Sequence, residues 1–157
     1  MLFRSACCEK ISQKGDFALI SAGGHRTDTF LYQSTKALFN AVNAVKEKGK
    51  ILFVAEAKQG IGNKTFGEIL KKYQKNPEKI GQNLAKQFDM PSYVAFRVID
   101  VLKRFDVTLV SNFSKQETRE LGFKYSDDID RYINKSLKGA GYIIPFGENI
   151  LPVMSNS

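Results

Sequence analysis

Two apolar runs, each ending in a glycine-bearing loop that leads into a helical pattern, constrain this chain more than any other feature. "DFALISA" (16–22) is apolar at nearly every position and stops at Gly23 and Gly24. "KILFVAEA" (50–57) does the same and runs into "KQGIGNKT". Such runs fit strands buried on both faces, as in a parallel sheet covered by helices. Between them, Leu31, Leu38, Val42 and Val45 keep a roughly helical spacing. The pattern predicts a helix from Thr29 to Lys48, with Asp28 as N-cap and Gly49 as its end.

Further helices are expected at 65–73 and from Pro77, where Asn76 offers a cap, Pro77 suits the first helical position and Glu78 the first turn. Another is expected after Met90, Pro91 and Ser92, carrying Val94, Val98, Val101 and Leu102 on one side. "DVTLVSN" reads as a third strand and "GYIIPFG" as a last short one, stopped by Pro145 and Gly147. Helices near 115–121 and 127–137 lie between them. Strands alternating with helices predict an α/β fold: a mostly parallel sheet with helices on both faces, Rossmann-like and three-layered. A helical insertion separates the second and third strands. The 157 residues suit a single domain.

In such folds ligands gather where strands end in strand-to-helix loops, and both glycine loops lie there. Several chemistries fail at these loops. A phosphate loop needs G-x-x-x-x-G-K-[ST], but in "GIGNKT" Asn63 separates Gly62 from Lys64 and the opening glycine is missing. The dinucleotide pattern G-x-G-x-x-G is incomplete at both loops. No G-x-S-x-G elbow exists, and His25, the one histidine, has no identifiable nucleophile partner. Cys7 and Cys8 are adjacent and are the only cysteines, which suits reduced thiols and no metal site.

The net charge of +8 raises nucleic acid as a partner. The lysines are dispersed, however, at 46, 48 and 50 and at 71, 72, 75 and 79, with no aromatic-interleaved signature. Nucleic-acid binding is therefore not expected. No apolar run approaches the roughly 20 residues of a membrane span, and the N-terminus is too short and polar for a signal peptide, so a cytoplasmic location is expected.

The start of the helix after the first loop carries the best candidate site. Tyr32, Gln33 and Lys36 project near one face in the first two turns, where backbone amides and the helix dipole favour an anion. An ammonium, an amide and a phenol can grip a carboxylate together with a hydroxyl. The competing reading is a solvated helix start in which Lys36 faces water.

These residues resemble a known family. Gly23, Gly24, Asp28, Leu31, Tyr32, Gln33, Lys36 and Ala37, then Ala55, Glu56, Gly60, Gly62, Thr65 and Phe66, are similar to the C-terminal domain of nickel-dependent lactate racemases. The likeness covers residues 16 to 70, with weaker motifs beyond. It implies interconversion of the stereoisomers of a small 2-hydroxy acid by hydride transfer on a nickel-pincer nucleotide. The family's cofactor-tethering lysine, nickel-binding histidine and catalytic histidines belong to its N-terminal domain. The resemblance thus implies a chain that binds no cofactor alone and is inactive alone. Its partner would be an N-terminal domain or a separately encoded half.

Under that resemblance Lys36 and Gln33 are the catalytic contacts: Lys36 pairs with a carboxylate or polarises a keto intermediate, and Gln33 orients it. Gly23, Gly24, Tyr32, Gln33, Ser34 and Lys36 would bind substrate or cofactor. The family usually follows its glycine pair with an aromatic residue and a proline; here stand His25 and Arg26. The alternative is a non-catalytic module of the same fold that holds a carboxylate or phosphate.

Overall fold

A computed structural model describes residues 7–74 and 76–155. Its main sheet has five parallel strands in the order β5-β4-β3-β2-β6. These are β2 (Gly15–Ser21), β3 (Val45–Val54), β4 (Asp106–Val110), β5 (Lys124–Tyr125) and β6 (Gly141–Ile144). A separate parallel pair joins β1 (Cys8–Ile11) to β7 (Leu151–Met154). The helices are α1 (Leu31–Ala41), α2 (Lys64–Tyr73), α3 (Pro77–Lys86), α4 (Met90–Arg104), α5 (Lys115–Glu120) and α6 (Ile129–Ser136).

The apolar runs became the central strands because both of their faces are covered. In register across the sheet lie Ile20, Phe53 and Leu109, all fully buried. Each such side chain contributes about 1.5–3 kcal/mol by leaving water. On that face α1, α2 and α4 close the core with Leu31, Leu38, Phe66, Leu70, Val98 and Ile99. The opposite face is thinner. There α6 has no buried residue of its own and touches the sheet through Tyr132, whose hydroxyl lies 3.1 Å from Thr108 Oγ1.

The expected helix from Thr29 to Lys48 is shorter than its apolar spacing predicted. Helix α1 ends at Ala41, a 3-10 turn covers Val42–Ala44, and Val45 already pairs with Gly15 in the sheet. Val45 is buried as expected, but by the sheet rather than by a helical stripe. Between the pairs Gly15–Val45 and Phe17–Lys50, β3 bulges, with Lys48 at a φ of 64°. Regular pairing resumes at Lys50, where the sequence places the strand.

Asp28 does not cap α1. The N-cap position is Phe30, which has no capping side chain. Asn63, Asp89, Ser114 and Asp128 do cap their helices, each side chain accepting a backbone N–H. Asn76 holds the N-cap position of α3 without a side-chain bond, whereas Pro77 and Glu78 sit where expected. Strands β1, β5 and β7 have no counterpart among the strands expected from the sequence. Each has four residues or fewer and so shows almost no periodicity.

Cys7 and Cys8 are free thiols. Of the dispersed lysines, 46, 48, 71, 72 and 79 are exposed, Lys50 donates to the Ser136 carbonyl, and residue 75 lies outside the described residues. Among the described residues no helix is long and apolar enough to cross a membrane.

Candidate functional site

The carboxyl ends of β2 and β3 deliver the two glycine loops side by side, and four backbone hydrogen bonds join them. Ala57 N donates to Asp28 O (2.7 Å) and Gln59 N to Thr29 O (2.9 Å). In return, Leu31 N donates to Gly60 O (3.0 Å) and Tyr32 N to Ile61 O (3.1 Å). The chain reaches this arrangement through left-handed backbone at Gly23, Gly24, Gly60 and Gly62, and also at Arg26 and Ala57. Glycine adopts that region without the steric cost of a Cβ.

This pairing changes the character of the helix start. The first amides of α1, expected to favour an anion, are already taken: Leu31 and Tyr32 by the second loop, Gln33 and Ser34 by the Phe30 carbonyl. The first four amides of α1 are therefore not open to an anion.

The side chains here differ in their surroundings. Tyr32 is half-buried, its ring edge-on to Phe66 at a centroid distance of 5.3 Å. Gln33 and Lys36 are exposed. Ser34 is 1% exposed, and its hydroxyl points inward to the carbonyls of Thr27 (3.1 Å) and Phe30 (3.0 Å). It braces the first loop rather than reaching the surface. His25 and Arg26 form the exposed tip of that loop.

Lys36 is not simply solvated. Its Nζ lies 2.8 Å from Glu148 Oε1, on the turn that follows β6. No local pattern signals this contact, because the two residues are 112 positions apart. On the same turn Phe146 is 55% exposed, and Ile143 on edge strand β6 is 73% exposed. A Cβ placed on Gly23 would sit 3.8 Å from the Phe146 Cα, so Phe146 adjoins the first glycine loop.

The face is open rather than enclosed. A depression beside the second loop is lined by Ile61, Gly62, Asn63, Lys64, Gly67, Glu68 and Lys71, and it excludes the α1 residues. Among the described residues no three His, Cys, Asp or Glu side chains converge on a possible metal position.

The family model described as "Lactate racemase C-terminal domain" matches residues 11–144. No curated protein matches the sequence. Among solved structures, the chain is similar to the lactate racemase apoprotein from Thermoanaerobacterium thermosaccharolyticum, with a TM-score of 0.78 and 20% identity. That match covers 90% of this chain and 36% of the other. A protein from Thermotoga maritima is similar with a TM-score of 0.64 and 17% identity, over 94% of this chain and 39% of that one. At these identities the likeness establishes the fold. The chain spans little more than a third of the length of either structure.

Proposed function

The chain belongs to the family of lactate racemase C-terminal domains, and on that premise we propose that it forms one wall of a 2-hydroxy acid racemase site. The other wall is an N-terminal partner domain, in the same polypeptide or a separate one. The observation that carries this reading is an exposed ammonium and amide, Lys36 and Gln33, on an open face whose first glycine loop adjoins the exposed Phe146. Apolar side chains exposed beside a candidate site suit a surface that a partner covers.

Within that site Lys36 pairs with the substrate carboxylate, and Gln33 supplies an amide that fixes the orientation of the bound acid. Both contacts gain strength when the partner excludes water. Tyr32, held against Phe66, sets the floor beside them, and the flank formed by Gly23 and Gly24 lets backbone approach the ligand. Ser34 supports this arrangement from below through Thr27 and Phe30.

The family implies a nickel-pincer nucleotide, which when bound supplies hydride exchange at the substrate's α-carbon. This chain's own donors do not fit as its holder: no metal-binding cluster occurs among the described residues, and His25 stands at an exposed loop tip. We assign the cofactor to the partner domain, with His25 outside its chemistry.

The reading is tested by combining the chain with a cofactor-loaded N-terminal domain and following several 2-hydroxy acids by chiral chromatography. Interconversion of the two stereoisomers, present with both parts and missing with either alone, is the expected result. Tight binding of nucleotides with no response to any hydroxy acid would instead indicate a binding module.

A further inference from the structure

Glu148 occupies the ammonium that the proposed site uses for its ligand, and the fold holds it there. Gly147 N donates to the Ser21 carbonyl at the end of β2 (2.9 Å). Asn40 Nδ2 donates to the Gly147 carbonyl (2.7 Å) and to the Glu148 carbonyl (3.3 Å). A side chain at Gly147 would press into Ile20 and Ala37, with its Cβ 2.5 Å from Ile20 Cγ1 and 2.7 Å from Ala37 Cβ. The turn is thus tied to β2 and to α1, and Asn40 stands one helical turn beyond Lys36 on that same helix.

The two partners are unequally exposed. The Lys36 side chain keeps 57% of its surface open, while that of Glu148 keeps 22%. A long flexible lysine on an open surface gains little from an isolated ion pair. Here the carboxylate arrives on a backbone that is already fixed, so less conformational freedom is lost in forming the pair.

We propose that Glu148 is a ligand-competing residue that sets the affinity of the site: an internal carboxylate that neutralises Lys36 and that the carboxylate of an incoming anion must displace. This rests on the assignment of Lys36 as the carboxylate contact. Its consequence is a site in which a bare carboxylate exchanges one partner for another with small net gain. Affinity for the acid then depends on the contacts that the partner domain adds. Anions that lack the groups read by that domain are held back from Lys36.

The test is titration of the purified chain with lactate and with propionate, followed by NMR at the resonances of residues 32–36, in wild type, Glu148→Gln and Lys36→Ala. Removing the charge of Glu148 while keeping its shape is expected to tighten both anions by about two- to fivefold. Thermal melting of each variant separates this from a loss of folding, since Asn40 bonds to backbone carbonyls that the Gln variant retains. Equal behaviour of wild type and Glu148→Gln, whether both bind or neither does, overturns the role of Glu148. If Glu148→Gln tightens binding and Lys36→Ala binds as well as wild type, the assignment of Lys36 itself fails.

Discussion

The amide of Leu31 donates to the carbonyl of Gly60 across 3.0 Å, so the first residue of α1 is capped by the other glycine loop. The bond makes the two loops one unit and leaves α1 without a side-chain cap.

Gly62 tests that unit. It has a φ of 84°, and a Cβ there would lie 2.6 Å from Phe30 Cβ, immediately before α1. Gly62→Ala is expected to cost about 2–4 kcal/mol, from left-handed backbone and overpacking together. Gly60 has a φ of 83° but open space around its Cβ position, so Gly60→Ala should cost only about 1–2 kcal/mol. Thermal melting of both variants checks this, and equal shifts would remove the steric part of the account.

Much of this arrangement was legible in the sequence because it is local. The apolar runs at 16–22 and 50–57 mark strands by content alone, and Gly23, Gly24, Gly60 and Gly62 mark the loops by their backbone freedom. The end of α1 was not legible. Val42 and Val45 keep helical spacing, yet Val45 is taken by pairing with Gly15. Nor could spacing reveal Glu148 beside Lys36, or Phe146 beside Gly23, since each contact depends on where β6 docks against β2. Asp28 has the side chain of a cap, but its carbonyl serves Ala57 in the loop pairing.

Acid sensitivity should centre in part on Asp16 at the start of β2. Its carboxylate accepts from Lys46 Nζ (2.7 Å) and from the Ala140 amide (3.1 Å), and the Lys46 bond chiefly holds its pKa below the ordinary 3.8. A carboxyl depressed in the folded state stabilises above its unfolded value and loses that contribution as pH falls through its folded value. Wild type should therefore lose stability below about pH 4 more steeply than Asp16→Asn. Urea unfolding across that interval measures the difference, and parallel curves would contradict it.

Phe146 should matter for association and not for folding. Phe146→Ser changes a side chain that is 55% exposed. Surface changes of this kind usually stay within about 0.5 kcal/mol per site. Calorimetric titration against the N-terminal partner domain is expected to show about tenfold or greater weakening, as for truncation of central interface contacts. An unchanged affinity would place the interface elsewhere.

The central claim is that Lys36 contacts the reacting acid, and the racemisation rate of the two-domain assembly tests it most directly. Lys36→Ala, folded and associating as wild type does, is expected to lower kcat/KM by about 100-fold or more, the usual scale for losing a charge-stabilising contact. A Lys36→Ala assembly that racemises at the wild-type rate would contradict the account.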